Sequence, residues 1–277
     1  MQIFHHKKNL KTCLNKLYDE KKTIGFVPTM GAIHEGHLKL ILESKKKCDI
    51  TICSIFINPT QFNNKKDFAN YPKTLSQDIK LLAKSLCDIL YCPDVDDLYD
   101  RIITNTYNFN SLTQYMEGVF RPGHFNGMAT VVEKLLKIIK PDLAFFGQKD
   151  LQQLQIVKKL VAQMNCKTKI VGVNTYREKN GLAKSSRNKL LTTEQKRLAS
   201  NIFKSLVYCK ENKHLSIENL KNYVQSNLEK YKIELEYVEF VEIQSMTPVG
   251  SLSKGKKIAI CIAAYLDDVR LIDNIIL

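Results

Sequence analysis

Between Thr23 and Val173 two kinds of apolar pattern alternate along the chain. Short apolar runs bounded by turn or polar residues predict strands over Thr23–Pro28, Ile50–Ile57, Ile89–Cys92, Leu143–Phe146 and Lys169–Val173. The stretches between them, near Leu38–Cys48, Leu75–Leu86, Met128–Ile139 and Leu151–Gln163, predict helices. In the last of these Leu151, Leu154, Val157 and Val161 recur three or four residues apart, so one face is apolar and is expected to pack on a sheet. Strand and helix in alternation are the signature of a parallel sheet covered by helices. After Tyr176 the order changes: helices are predicted over Thr193–Glu211 and Ser216–Lys230, then strands over Leu235–Ile243, Lys257–Tyr265 and Val269–Ile276. The predicted fold class is therefore α/β for residues 1–175, followed by a smaller α+β domain over 176–277.

Composition narrows this picture. With 277 residues, 44% hydrophobic and 25% charged, the chain falls in the globular class and is long enough for about two domains. No apolar run approaches the ~20 residues that span a bilayer, and MQIFHHKKNL has no apolar leader core, so no membrane partner is expected and the expected compartment is the cytoplasm. The eight cysteines are scattered without a CxxC pair, and they read as reduced small hydrophobes. A net charge of +14 favours anionic ligands. No run of Lys or Arg exceeds Lys45–Lys47 and no nucleic-acid module is visible, so no nucleic-acid partner is expected.

The residues with chemistry in them cluster at predicted strand ends. Pro28 to His37 reads PTMGAIHEGH, where a strand gives way to a helix. Gly31 and Gly36 allow backbone to approach a ligand, the helix start offers unpaired N–H groups to a phosphate, and His34 and His37 can donate to triphosphate oxygens. The plainer possibility is two exposed loop histidines. Asn58 and Gln61, after the second strand, are neutral amides that suit a hydroxy-acid, although Asn58-Pro59 is also an ordinary turn. Gly147, Gln148, Lys149, Asp150 and Gln153 follow the fourth strand; Lys149 offers a cation and Asp150 either a helix cap or a ribose acceptor. Lys184, Ser185, Ser186 and Arg187 form a small-residue loop that reads as a phosphate clamp or a basic linker.

PTMGAIHEGH, SIFINPTQF, the Tyr71-Pro72-Lys73-Thr74 turn, RPGHF, FFGQKDLQQL and GLAKSSRN stand in the order and approximate spacing of pantothenate synthetases, and the chain resembles that family from about Thr23 to LDDVRLIDNI. The resemblance implies a Rossmann-like N-terminal domain, a C-terminal lid domain, a homodimer, and a requirement for magnesium. It implies ATP along Met30, Gly31, His34 and His37, along Gly147 to Asp150, at the Tyr176 backbone and along Lys184 to Arg187. His37 matches the residue usually described as the acid in the site, with His34, Lys149, Ser185, Ser186 and Arg187 gathered around the phosphates. Pantoate is implied between Gln61 and Gln153, with Asn58 near it. The chain departs from the family at Lys184, more often Met or Leu, and at Gln77-Asp78, where an acidic pair is expected, so the metal ligands stay unassigned.

The implied reaction activates the pantoate carboxylate with ATP as an acyl-adenylate, then joins it to β-alanine. Two other readings remain open on the residues alone: another adenylyl transferase with HxGH, and an RNA-binding relative of aminoacyl-tRNA synthetases suggested by the charge, HxGH and Lys184-Ser185-Ser186.

Overall fold

A computed structural model of the chain describes residues 1–62, 68–69, 71–99, 105–252 and 255–277. These form two compact units, the first from Met1–Phe109, Phe120–Gly147 and Ile156–Val173, the second from Asn110–Val119, Gln148–Gln155 and Asn174–Leu277.

The first unit is built on six parallel strands: β1 (Gln2–Phe4), β2 (Ile24–Thr29), β3 (Ile50–Ile55), β4 (Ile89–Tyr91), β5 (Leu143–Gly147) and β6 (Lys169–Val173). Their order across the sheet is β1-β4-β3-β2-β5-β6. The predicted Rossmann-like parallel sheet is thus present, and β1 is an addition, too short for a pattern to reveal. The helix α1 (Lys7–Asp19) that follows it was equally silent in the sequence, because only Leu10 and Leu14 of its thirteen residues are buried. The strands in the middle of the sheet read as continuous apolar runs because both faces are covered. Val27, Cys53, Leu90 and Phe145 sit in one buried cluster with Ile33, Leu40 and Ile41 beside α2 (Glu35–Lys45).

Strand order reverses between β2 and β5, and open α/β sheets bind ligands beyond the strand C-termini at such a switch point. The pairing there is unequal. Strands β2 and β3 pair over six residues, from Ile24↔Ile50 to Thr29↔Ile55, but β2 and β5 pair only at Gly25↔Leu143 and Phe26↔Ala144. Beyond Phe26 and Ala144 the two strands continue to Thr29 and Gly147 unpaired with each other, leaving a gap where the PTMG loop and Gly147 leave the sheet.

Helix α3 (Leu75–Ala83) follows the Tyr71–Thr74 turn, and α4 (His124–Ile139) begins four residues before the predicted start at Met128. Gly123 at φ 82° turns the chain into α4, so RPGHF forms the entrance to this helix. Helix α5 (Leu151–Gln163) has the predicted span and contributes residues to both units.

In the second unit α6 (Thr193–Glu211) and α7 (Ile217–Glu229) precede the antiparallel strands β7 (Glu234–Glu242), β8 (Ile258–Leu266) and β9 (Val269–Ile276), ordered β7-β8-β9. Thr192 and Gln195 close a capping box at the start of α6, satisfying two helix-end donors reciprocally. Ile202, Leu206, Leu220, Val224, Phe240, Ile260 and Ile262 form the core of this unit. Six of the eight free cysteines are buried. Burial raises their thiols, Cys48, Cys87 and Cys209 to about 11 and Cys92 to about 12, which leaves them poor nucleophiles at neutral pH.

Candidate active site

In the first unit the site begins where β2 ends. Gly31 (φ 83°) and Ala32 (φ 49°) turn the chain through two successive left-handed residues, a conformation an alanine adopts only when its surroundings hold it there. The surroundings here are polar. Thr29 Oγ1 donates to Ser54 O (2.7 Å) and accepts from Gly31 N (3.2 Å). Asp78, on α3 and 1% exposed, accepts from Ala32 N (2.9 Å) and Ile33 N (2.8 Å), while Thr74 Oγ1 donates to both of its carboxylate oxygens (3.1 Å each).

The turn delivers His34 to the N-cap of α2 in extended backbone, where Nδ1 accepts from Gly36 N at 3.1 Å. A nitrogen that accepts holds no proton, so in the neutral ring the proton sits on Nε2. His37 lies one turn on and its ring stacks on His34, centroids 4.0 Å apart with planes 20° apart. Two half-buried imidazoles therefore stand together at a helix N-terminus, whose dipole favours a negative ligand.

The amides after β3 form a buried knot. Asn58 is fully buried; its Oδ1 accepts from Thr60 Oγ1 (3.0 Å) and Tyr99 OH (2.9 Å), and its Nδ2 donates to Gly127 O (3.0 Å) and Gln61 Oε1 (3.3 Å). Asn58 is thus committed within the protein and sits one step behind Gln61. His124 Nδ1 donates to Gln61 O (2.7 Å), and Gly127 lets the Pro59–Gln61 turn lie against α4, since a Cβ there would stand 2.1 Å from Thr60 O. The Gln61 side-chain amide faces Met30 Sδ, so the amide cluster and the PTMG loop meet within this unit.

In the second unit, Gln148–Asp150 forms a 3-10 turn that opens α5. Strand β9 packs against this turn and against Ser186–Leu190. Asn274 Nδ2 donates to Gln148 O (2.9 Å) and Lys149 O (2.8 Å). Its neighbour Asp273 takes a bidentate pair from Arg177 (2.6 and 2.9 Å), whose guanidinium also donates to Gly181 O and lies 3.5 Å over the Phe203 ring. Burial raises the Asp273 carboxyl above the usual range, and the guanidinium opposes that rise. One strand therefore holds the Lys149 turn and the Tyr176–Arg187 segment on a common frame.

Within that frame Lys149 is mostly buried, with Nζ 3.8 Å from Asp150 Oδ1. Lys184 N donates to Tyr176 O, and Lys184 Nζ pairs with Glu178 at 3.4 Å. Ser185 caps the Ser186–Leu190 turn by accepting from Arg187 N at 3.3 Å. Gln152 is buried and tied to Leu112 O, Tyr115 O and Glu117 N, whereas Gln153 is half-buried one position further along α5.

Among the described residues no group of three or more His, Cys, Asp or Glu side chains is arranged to hold a metal ion. Asp78, the acid at the position where the sequence left metal ligands open, already has both oxygens occupied by N–H and O–H donors. The described residues do not by themselves fit a magnesium site. The sequence marked Asp78 only as part of the Gln77-Asp78 pair where metal ligands stayed open, and it assigned no role to His124, Gly127, Asp273 or Asn274. The only advance signals were the YPKT turn, RPGHF and LIDN, each visible as a motif but mute about its partner.

The family model for pantoate-beta-alanine ligase matches residues 2–276. The chain belongs to the pantoate-beta-alanine ligase family. It is 43% identical over 285 residues to the pantothenate synthetase of Christiangramia forsetii, covering 100% of this chain and 99% of that one. It is 44% identical over 281 residues to the pantothenate synthetase of Azobacteroides pseudotrichonymphae, covering 99% of both. Among solved structures, pantothenate synthetase from Thermus thermophilus superposes with a TM-score of 0.92 at 32% identity, over 99% of each chain. The pantoate-beta-alanine ligase from Francisella tularensis, complexed with beta-gamma ATP and beta-alanine, gives 0.84 at 38% identity, over 99% of this chain and 97% of that one. A pantoate-beta-alanine ligase needs a place for a triphosphate and a place for a hydroxy-acid.

Proposed function

We propose that His34 and His37 act as hydrogen-bond donors to the ATP phosphates while Gln61 and Gln153 recognise pantoate. The enzyme condenses pantoate with β-alanine using ATP, through a pantoyl-adenylate, releasing AMP and pyrophosphate. The observation that carries the site assignment is the pair of stacked imidazoles at the start of α2, beside the gap between β2 and β5.

A free carboxylate resists attack by an amine, and adenylation removes that resistance. A pantoate carboxylate oxygen attacks the α-phosphorus of ATP in line; a P–O bond forms, the bond to the bridging oxygen breaks, and pyrophosphate leaves with the electron pair. Charge grows on that bridging oxygen. Nε2 of His34, the His37 ring, Lys149, the Ser185 and Ser186 hydroxyls and Arg187 are the donors proposed to meet it, with His37 as the acid. Met30, Gly31, Gly147, Gln148, Asp150, the Tyr176 backbone and Lys184 complete the ATP contacts in this reading. Asn58 acts near the pantoate end through Gln61, which it holds by hydrogen bond. In the second step the β-alanine amine attacks the carbonyl carbon of the mixed anhydride, an amide bond forms, and AMP leaves. Magnesium is proposed to travel with the triphosphate and to neutralise charge on its oxygens.

Residues 1–175 serve in this reading as the nucleotide- and pantoate-binding domain and 176–277 as the lid domain. A homodimer is the proposed assembly, and the cytoplasm the proposed compartment, the latter supported by eight unpaired cysteines. No helix among the described residues is long and apolar enough to cross a membrane. The deciding experiment incubates the protein with ATP, pantoate and β-alanine and identifies the nucleotide product. AMP and pyrophosphate, formed only with pantoate present, are expected; ADP and phosphate would overturn the adenylate route.

A further inference from the structure

Two consecutive backbone N–H groups next to left-handed residues form a concave nest that attracts anions. Ala32 N and Ile33 N make such a nest directly before His34, and in this chain a side chain fills it. Asp78 brings one carboxylate oxygen to each N–H, 2.9 and 2.8 Å away, and Thr74 Oγ1 donates to the same two oxygens. Ala32, Ile33 and Asp78 are 0%, 2% and 1% exposed, so neither the donors nor the acceptor has water to fall back on. No ion pair to Asp78 occurs among the salt bridges of the described residues; hydrogen bonds hold the carboxylate in place.

We propose that Asp78 is a positioning residue for the adenylation step, a carboxylate that fixes the left-handed Gly31-Ala32 turn and thereby sets the stacked His34 and His37 rings. The mechanism is geometric. His34 takes up its N-cap position two residues after Ala32, and its Nδ1 bond to Gly36 N depends on where that turn ends. With Asp78 in the nest, the Ala32 and Ile33 N–H groups are closed to phosphate, so the triphosphate meets imidazole donors and the first turn of α2. The same occupancy turns Asp78 toward the backbone and away from a role as a metal ligand, since its oxygens already accept from three protein donors.

The inference rests on the assignment of His34 and His37, and the test separates the two. Single-turnover pyrophosphate release is measured in His34→Ala, Asp78→Asn and Thr74→Val, each with a magnesium titration. An asparagine at 78 keeps the shape but turns an NH2 toward one of the two backbone N–H groups. Asp78→Asn is expected to slow release by about 10- to 100-fold, below the ~10²–10³ for losing a direct donor. The pantoate KM and the magnesium half-saturation should stay within twofold of wild type. Thr74→Val, which removes one donor to the carboxylate, should show the same pattern at about three- to tenfold and carries the test should Asp78→Asn fail to fold. Nitrogen-15 spectra of labelled histidine supply a readout that general destabilisation would not move. The His34 signature of an accepting Nδ1 and protonated Nε2 should be lost in Asp78→Asn well below its unfolding temperature. Wild-type release in folded Asp78→Asn, or in Thr74→Val should the first not fold, overturns the proposal, as does recovery of rate by added magnesium. Wild-type release in His34→Ala would instead remove the reading on which it rests.

Discussion

In the first unit the loop carrying His34 and His37 is fixed through its own backbone, by a buried carboxylate that accepts from Ala32 N and Ile33 N. In the second unit the turn carrying Lys149 is fixed from outside, by the amide of Asn274 donating to two successive carbonyls, on a strand anchored by the Asp273–Arg177 pair. The difference follows from what each region presents. An imidazole that donates from one ring nitrogen needs a fixed direction, and a turn gripped at its backbone N–H groups holds the residues that follow it in place. A lysine or arginine acts over distance and on a flexible stem, so its backbone needs only to be kept in place. The first region should therefore fail steeply when disturbed, and the second gradually.

The steepest expected failure is at the imidazoles. His34→Ala or His37→Ala should leave the fold intact and slow adenylate formation by ~10²–10³, the scale for losing one preorganised transition-state donor. Both side chains are half-buried at a helix start, so the core does not depend on them. Rapid-quench measurement of pyrophosphate release checks this, and near wild-type rates in both variants would remove the first region from the chemistry.

Next comes the frame of the second region. Asn274→Ala deletes two hydrogen bonds to the Lys149 turn at about 1 kcal/mol each, so the ATP KM should rise by roughly 10- to 30-fold with the pantoate KM little changed. A fall in kcat with unchanged ATP KM would mean that the turn is needed to direct chemistry, and the contrast between the regions would dissolve. Smaller still, Gln61→Ala or Gln153→Ala should lower pantoate kcat/KM by about tenfold, one hydrogen bond to a charged group being worth ~1.5 kcal/mol or more, while calorimetry finds ATP affinity unchanged. Weakened ATP binding with intact pantoate binding would show that the two subsites had been exchanged.

What the sequence disclosed and what it hid divide along the same line. The five strands predicted from Thr23 to Val173 are all present, because a doubly covered strand must be apolar throughout, and that is a local property. Helix α2 starts at Glu35 and not near Leu38, because its cap is an imidazole and its first turn, Glu-Gly-His, has no apolar rhythm. The side chains proposed to act on the substrates stand in motifs at strand ends, which a local pattern can show. Their supports were not legible: Asp78 acts 45 and 46 residues away in sequence, and Asn274 reaches back 125 and 126. Neither partnership leaves a trace in spacing. Gln152 and Gln153 make the point at closest range. The two amides are adjacent and identical in type, yet Gln152 is bound into the Leu112–Glu117 segment and only the fold distinguishes it from its neighbour.

The smallest expected effect concerns Lys184. Its backbone N–H is bound to Tyr176 O, so the main chain at 184 is part of the frame whatever the side chain does. The ammonium lies 3.4 Å from Glu178 Oε1, both side chains being 24% exposed, and Glu178 also accepts from Asn188 Nδ2. A cation already paired at a partly wet position has little field left to offer a triphosphate, and such pairs are worth about 0–1 kcal/mol in themselves. Lys184→Met should therefore change the ATP KM by less than about threefold at low salt, since even a full exposed pair seldom exceeds ~1 kcal/mol. It should leave the slope of ATP affinity against ionic strength unchanged. The opposite case has a distinct signature. If Lys184 leaves Glu178 for phosphate when ATP binds, the wild type should lose affinity with salt more steeply than Lys184→Met, the two converging once the Debye length falls below about 8 Å. Glu178→Gln then separates the causes: freeing the ammonium should steepen the wild-type salt slope if Glu178 restrains it, and leave the slope unchanged if the side chain never faces the nucleotide.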